Sequence, residues 1–167
     1  KSLVKTRREA GWRFSCNQAF ADIIAACAAP RPYADDTWIT AEIQAGYTAL
    51  HKLGWAQSIE VWREDVLVGG LYGVTVGGIF CGESMFSRCR DASKLAFWAL
   101  MSLSRAWQVE LVDCQLENDH LLSLGATIMS RNDYLALLAQ QPETPTLPWS
   151  QAHSTLAANG FAVAEAL

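Results

Sequence analysis

Three polar side chains stand where the surrounding pattern calls for apolar ones or where a strand is about to end: Glu83, Asp113 and Gln115. Along Ile79 to Phe86, period-two alternation puts Glu83 on the face of Ile79, Cys81 and Met85. A carboxylate on an apolar strand face must be desolvated, which without a partner is unfavourable by several kcal/mol or raises its pKa. One outcome is a carboxylate that holds a cationic amine; the other is a solvent-facing group or one paired with a cation such as Arg88. In Val109 to Gln115 the same alternation places Asp113 and Gln115 on one face and Cys114 on the other. The two polar groups are then ~7 Å apart at the C-terminal end of a strand, where crevices open beside parallel strands. An Asp in that position also commonly serves loop amides, so its value as a chemical group rests on having Glu83 on a neighbouring strand.

Other groups carry less. Asn118-Asp119-His120 fits a helix start in which Asn118 is the cap. Cys114 and His120 could form a nucleophile pair, but Cys114 points away from the Asp113 face and no third orienting group is evident. Trp38 and Tyr47 offer aromatic faces that could stack on a base or fill the core. Leu71, Phe80, Phe97, Leu100 and Val112 belong to the sheet and its covering helix, and a cavity among them would accept an apolar side chain. The five cysteines form no CxxC pair and the three histidines are isolated, which reads as reduced core thiols and no zinc site.

The elements that must position these groups can be traced from periodicity. Asn17 is a candidate N-cap for a helix whose apolar stripe is Phe20, Ile23, Ile24, Cys27 and Ala28, ended by Pro30 and Pro32. After a loop, Ile43, Tyr47 and Leu50 repeat at helical spacing until Gly54. The period then changes: strands at 58–63, 66–76 and 79–86 follow, joined by turns at Glu64-Asp65 and Gly77-Gly78, with a bulge expected at Gly69-Gly70. Asp91 can cap a helix from about Ala92 to Trp107, and the strand at 109–115 comes after it, so it can lie parallel to the strand before that helix. Short helices at 118–124 and 132–138 follow. Pro142, Pro145 and Pro148 then mark a linker ahead of an Ala-rich end.

Composition bounds the answer. The 167 residues are 51% hydrophobic and 18% charged, enough for one folded domain and too apolar for a disordered chain. No apolar run exceeds seven residues, the length of Leu95 to Met101, against ~20 for a membrane span. No apolar h-region follows the basic start, so a cytoplasmic protein is expected. Net charge is −4, yet residues 1–13 hold five cations against one anion. A basic arm on an acidic body suits a grip on one phosphate-bearing partner, or is a solvated terminus.

The result is an α+β domain whose sheet changes from antiparallel to parallel, the element order of the N-acetyltransferase (GNAT) superfamily. Those enzymes cradle a pyrophosphate on a glycine-rich turn at a helix N-terminus. Here Ser87 to Ser93 contains no glycine, and Asp91 would repel the pyrophosphate, so coenzyme A is not expected. The strings NQAFADII (17–24), TWIT (37–40), SIEVWRED (58–65), LVGGLYGV (67–74), FCGESMFS (80–87), DCQ (113–115) and NDHLLSLGA (118–126) together closely resemble the bacterial leucyl/phenylalanyl-tRNA–protein transferases.

That resemblance implies a GNAT-like enzyme without cofactor or metal that uses aminoacyl-tRNA in place of acetyl-coenzyme A. It would move Leu or Phe, less readily Met, onto N-terminal Arg or Lys of acceptor proteins and so mark them for degradation. It implies that Glu83 contacts the acceptor's amino end and that Asp113 and Gln115 are the catalytic pair. Trp38 would meet the terminal adenosine, Tyr47 and Asn118 would be site positions, and Leu71, Phe80, Phe97, Leu100 and Val112 would line the amino-acid pocket. Residues 1–140 are then the aminoacyltransferase domain, beginning after the family's small N-terminal subdomain, and 141–167 an extension. The alternatives are a coenzyme A-dependent N-acetyltransferase of the same fold and a non-catalytic module that binds basic N-termini.

Overall fold

A computed structural model describes residues 3–7, 11–30 and 37–164, apart from the side chains of Arg7 and His120. The elements run α1 (Leu3–Arg7), β1 (Trp12–Cys16), α2 (Phe20–Ala28), α3 (Ala41–Lys52), β2 (Ala56–Arg63), β3 (Val66–Val76), β4 (Ile79–Ser87), α4 (Ala92–Trp107), β5 (Leu111–Asp113), α5 (Asp119–Ser123), α6 (Arg131–Leu138), a 3-10 turn (Trp149–Gln151) and α7 (Ala152–Ala158). The five strands form one sheet in the order β1-β2-β3-β4-β5. The first four are antiparallel and β5 joins β4 in parallel, as the helix between them requires. This is a mixed α+β sheet flanked by helices.

Both faces of the sheet are covered, and the middle of β3 shows how. A Cβ at Gly69 would come within 2.6 Å of Ala92 in α4, and one at Gly70 would overlap Ile23 of α2. Neighbouring glycines on opposite faces thus let a helix settle on each side. On the α4 side, Phe14, Ile59, Val61, Leu71 and Phe80 meet Leu95, Ala99 and Leu103. On the other, Phe20, Ile23, Ile24 and Tyr72 pack with Ile43 and Tyr47. The expected bulge near these glycines exists, at Val61/Trp62 opposite Leu67 and Gly69.

Covering both faces buries Glu60 completely, although its alternation with Ile59 and Val61 reads as a polar face. Ser15 and Ser58 each donate a hydroxyl to it at 2.5 Å, satisfying both carboxylate oxygens.

Several local expectations change. Asn17 does not cap α2: its φ is 61°, and its side chain bridges to Gln57 Oε1 (2.6 Å) and the Ser58 amide (2.8 Å), tying the end of β1 to β2. Asp91 makes no capping bond either. It sits at φ 67° and is paired with Lys94 and Arg90, each at 3.7 Å. The loop 31–36 lies outside the described residues.

The first strand, β1, escapes the periodicity reading altogether, because its five residues hold Arg13 inside a basic stretch. Arg13 reaches Asp65 and the Glu64 carbonyl in the β2–β3 turn, so it is committed to the fold and is not part of a free arm. Lys1 and Arg8 lie outside the described residues.

The proline-marked segment returns to the body. Ala152, Leu156 and Phe161 are at most 4% exposed, Phe161 stacks edge-on against Phe14 at 4.9 Å, and Trp149 donates to Thr75 Oγ1. Residues 162–164 run along the outer edge of β1, bonded to both the amide and the carbonyl of Phe14 at 2.8 Å. An edge strand that would otherwise present unpaired backbone is thereby covered.

Candidate functional site

The parallel β4–β5 pairing is only three residues long, Ile79 with Leu111, Phe80 with Val112 and Cys81 with Asp113. Past that point β4 continues to Ser87 while β5 stops, so a crevice opens at the C-terminal end of β5. Glu83 enters it by a break in register. Tyr72 pairs with Ser84 but the next residue, Gly73, pairs with Gly82, leaving Glu83 as the extra residue of a β-bulge. Gly73 is needed there, since a Cβ would overlap the Cys81 carbonyl and the Phe80 ring.

The bulge corrects the alternation argument. Cys81 pairs with Val74 on the α3 face, while Met85 packs into the α4 core, so the two are on opposite sides of the sheet. Glu83, between them, is half-buried and turned toward α3. Arg88, its candidate cationic partner, is engaged elsewhere, donating to the Leu67 carbonyl at 3.0 Å.

Gln115 is likewise not a strand residue. Its φ is 64°, a left-handed conformation that costs a non-glycine residue ~1 kcal/mol or more. Asp113 holds it there, accepting the Gln115 backbone N–H on Oδ1 at 2.8 Å. The carboxamide thus released from the strand donates Nε2–H to Glu83 Oε2 at 3.1 Å. Asp113 therefore grips the backbone of Gln115 and Glu83 its side chain, which leaves the carboxamide oxygen as the outward acceptor.

Two phenols close the cluster. Tyr47, presented by α3, rests edge-on against Tyr72 at 5.2 Å, with Glu83 near enough to raise its pKa. Tyr134 of α6 lies near enough to Cys81 and Asp113 for both to raise its pKa. Burial, and then the neighbouring negative groups, push both phenols up to about 12. The same causes raise the Cys81 thiol to about 11, so it is a neutral thiol near pH 7, and the Cys114 thiol is raised by burial and by Asp113. Neither has the depressed pKa of a nucleophilic cysteine. The His120 side chain, the other half of that candidate pair, lies outside the described residues.

Among the described residues neither Glu83 nor Asp113 has a basic side chain within ion-pair distance. Two carboxylates on one residue, Glu83 on the Gln115 carboxamide and Asp113 on its backbone amide, with no basic partner among the described residues, make a place for a cation from outside. Among the described residues no group of three or more His, Cys, Asp or Glu could hold a metal ion. At the first turn of α4, where a pyrophosphate would sit, the Ser93 amide is taken by Ser87 Oγ and the Ala92 amide by the Cys89 carbonyl.

The other candidates are dispersed. Trp38 stands 53% exposed just before α3. Asn118 caps α5, accepting the Leu121 amide at 2.9 Å. Leu71, Phe80 and Leu100 are 0–3% exposed in the α4-side core, and Phe97 and Val112 flank that core half-buried. Tyr134 is the residue that sequence reasoning passes over. It is a lone aromatic on a polar helix 21 positions after Asp113, and no spacing rule connects the two.

Known proteins agree with the motifs. The family model for leucyl/phenylalanyl-tRNA protein transferase matches residues 1–139. Similar curated proteins, each named leucyl/phenylalanyl-tRNA–protein transferase, include one from Shewanella frigidimarina, 51% identical over 87% of this chain and 62% of its own length. Another, from Pseudomonas fluorescens, is 51% identical over 89% of this chain and 66% of its own. A third, from Tolumonas auensis, is 50% identical over 86% and 61%. The chain thus spans a little under two thirds of the length of these relatives. It belongs to the leucyl/phenylalanyl-tRNA protein transferase family.

Proposed function

We propose that this chain carries the aminoacyl-transfer centre of its family, passing Leu or Phe, and less readily Met, from aminoacyl-tRNA to the α-amine of an N-terminal Arg or Lys. The observation that carries the reading is the pair Glu83 and Asp113, without a basic partner among the described residues, one holding the Gln115 carboxamide and the other its backbone amide. A basic N-terminus brings two cations, the α-ammonium and the side chain, to a site that holds two carboxylates and, among the described residues, no cation. The architecture is read as N-acetyltransferase-like, with the aminoacyl end of tRNA where an acyl-coenzyme A would lie.

The chemistry asked of the protein is small, because the aminoacyl ester is already activated. Positioning the amine and managing its proton supply the rate. An α-ammonium has a pKa near 8, so a useful fraction is neutral at physiological pH. The neutral nitrogen attacks the ester carbonyl, and the tetrahedral adduct collapses to the amide as the C–O bond to the terminal ribose breaks. The proton lost by nitrogen ends on the released ribose oxygen. In this reading Glu83 receives the basic end of the acceptor, and the Gln115 carboxamide oxygen accepts an N–H of the attacking amine. Asp113 maintains the turn that aims Gln115.

Trp38 would stack on the terminal adenosine and Asn118 would border it. Tyr47 would act chiefly by steadying Glu83. The amino-acid pocket would be formed by Leu71, Phe80, Phe97, Leu100 and Val112, with half-buried Phe97 and Val112 at its entrance, and single-methylene discrimination there is worth only ~1–3 kcal/mol. Acceptors so modified would be directed to degradation, and the chain would work in the cytoplasm. Among the described residues no helix is long and apolar enough to cross a membrane.

Mass spectrometry of an N-terminal Arg peptide incubated with the chain and Leu-tRNA tests the proposal. Addition of one leucine to the free-amine peptide and not to its N-acetylated form is the expected result. No addition, with the relatives' N-terminal residues restored as well, would sink it.

A further inference from the structure

Trp149, in the 3-10 turn, lies beyond residues 1–139, the part of the chain matched to the family, yet it packs on a residue assigned to the amino-acid pocket. Its ring centroid is 5.6 Å from that of Phe80, and it meets Trp107, the last residue of α4, edge-on at 5.3 Å. Both indoles are fixed by their N–H groups: Trp149 donates to Thr75 Oγ1 at 3.0 Å and Trp107 to Thr155 Oγ1 at 3.3 Å. Thr75 is fully buried on β3, directly opposite Phe80. The backbone leading to Trp149 is held at the β3–β4 turn, where the Thr146 amide donates to the Gly77 carbonyl at 3.1 Å. The crevice opens past Cys81, on the other side of Phe80 from that turn. Trp149 therefore covers Phe80 from the end of β4 that lies away from the crevice.

We propose that Trp149 is a specificity-determining residue: it backs the Phe80 ring and so sets how large a side chain the amino-acid pocket takes. The inference rests on the pocket proposed above and adds a residue to it. Leu71, Phe80 and Leu100 are 0–3% exposed, so the side chain of the aminoacyl end enters only as far as these groups yield. Phe80 cannot yield toward the sheet, because its ring already fills the space that a Cβ at Gly73 would need. Toward the β3–β4 turn it meets the Trp149 indole, which the bond to Thr75 keeps from turning aside. Phe80 is thus clamped between the backbone of β3 and an indole, and a clamped wall discriminates by size where a yielding one does not. Truncating Trp149 vacates space behind Phe80 that the surrounding structure closes only in part. The ring then moves back when a larger side chain enters, and the preference for Phe over Leu rises.

The test is Trp149→Ala, compared with Leu156→Ala, which loosens the same returning segment from its buried position on α7 without removing the indole. Trp149→Phe is the second variant: it keeps a ring against Phe80 and loses the bond to Thr75. Two measurements are made. The first is calorimetric binding of non-hydrolysable amide analogues of leucyl-adenosine and phenylalanyl-adenosine, which needs no turnover. The second is mass spectrometry of an Arg peptide given equal amounts of Leu-tRNA and Phe-tRNA. Trp149→Ala is expected to shift the Phe-to-Leu ratio upward about tenfold in both, the lower end of what one methylene is worth in an apolar pocket, and Trp149→Phe about threefold. Leu156→Ala is expected to leave both ratios as they are, whatever it does to the melting midpoint.

Unchanged ratios in a folded Trp149→Ala protein, or in Trp149→Phe should the alanine variant not fold, would overturn the assignment, as would an equal shift in Leu156→Ala. A wild-type chain that binds neither analogue, with the relatives' N-terminal residues restored as well, would overturn it together with the pocket. Binding with the expected shift but without transfer would retain Trp149 as the backing of the pocket and reject the transferase reading instead.

Discussion

Replacing Glu83 by Gln keeps the size and shape of the side chain and removes its charge, so the consequences can be worked out bond by bond. In the free protein Glu83 accepts one bond from Gln115 Nε2 at 3.1 Å. A Gln carbonyl can accept the same bond, reduced from the ~1.5–3 kcal/mol of a charged hydrogen bond toward the ~0.5–1.5 kcal/mol of a neutral one. Against this, the substitution relieves repulsion between Glu83 and Asp113, which face the same crevice without a cation between them. The two effects oppose, so the melting midpoint is expected to stay within a few degrees of wild type. Binding of the acceptor is different, because nothing offsets the lost charge. Trading one charged contact for a neutral one weakens the hold on a basic N-terminus by ~1–2 kcal/mol, or ~5- to 30-fold in the acceptor's KM. The KM for Leu-tRNA should be unaffected. The assay is initial-rate transfer to an Arg peptide over a range of acceptor concentrations, with spectrophotometric titration of the tyrosines as an internal control. Glu83 is the second cause, after burial, that lifts Tyr47 to about 12, so the Glu83→Gln protein should ionise this phenol at lower pH. An acceptor KM equal to wild type, in a protein whose Tyr47 titration has moved, would refute the assignment of Glu83 to the acceptor.

Gly73→Ala should destabilise the protein by ~1–3 kcal/mol, since its methyl would overlap the Cys81 carbonyl and the Phe80 ring, and should reduce transfer further than its effect on the melting midpoint explains by straightening the bulge that aims Glu83. Leu156→Ala, in the segment after the prolines, should cost ~2–5 kcal/mol in chemical denaturation because Leu156 is fully buried in the α4-side core. Tyr47 has its pKa raised from 10.0 to about 12 in the folded chain, so above pH 10 the unfolded state loses this proton first and stability must fall as pH rises toward 12. Tyr47→Phe should flatten that decline in an alkaline series of urea melts, and a decline of undiminished slope would show that the phenol is not responsible.

The elements that stand on periodicity are legible in the sequence: the meander, the helix after it, and a parallel fifth strand all occur within a residue or two of their expected limits. What could not be read is where the chain departs from periodicity. Alternation in Ile79 to Phe86 is a sound argument only while the register is unbroken, and the break opposite Gly73 puts Cys81 and Met85 on opposite faces. The glycines at 73 and 82 were the available sign of it. Alternation of its neighbours places Gln115 on a strand, whereas its backbone bond to the Asp113 carboxylate holds it in a left-handed turn. The last segment was misleading for another reason. Three prolines in seven positions read as a linker, but proline records only that the chain bends, and Leu156 and Phe161 are too sparsely spaced to announce a buried face.

These departures are concentrated at the candidate site, and the reason is physical. A regular sheet directs each side chain to one of two faces, and neither direction brings Glu83, Gln115 and Asp113 to a common point. The bulge at Glu83 and the left-handed turn at Gln115 each add a direction that the pleat does not offer, at a local energetic cost that the two covered faces of the sheet can absorb. Both distortions lie beyond Cys81 and Asp113, where the parallel pairing stops, so neither interrupts the β4–β5 ladder, while the bulge at Glu83 interrupts the β3–β4 ladder at one residue. The three-residue length of β5 is therefore part of the site. A longer β5 would pair with Gly82 to Phe86, close the crevice and return Gln115 to the strand. Extending the pairing by design, with Gln115→Val and a β-branched residue at Leu116, should stabilise the sheet edge while eliminating transfer. An extended variant that retained full activity would show that the acceptor does not approach through this crevice.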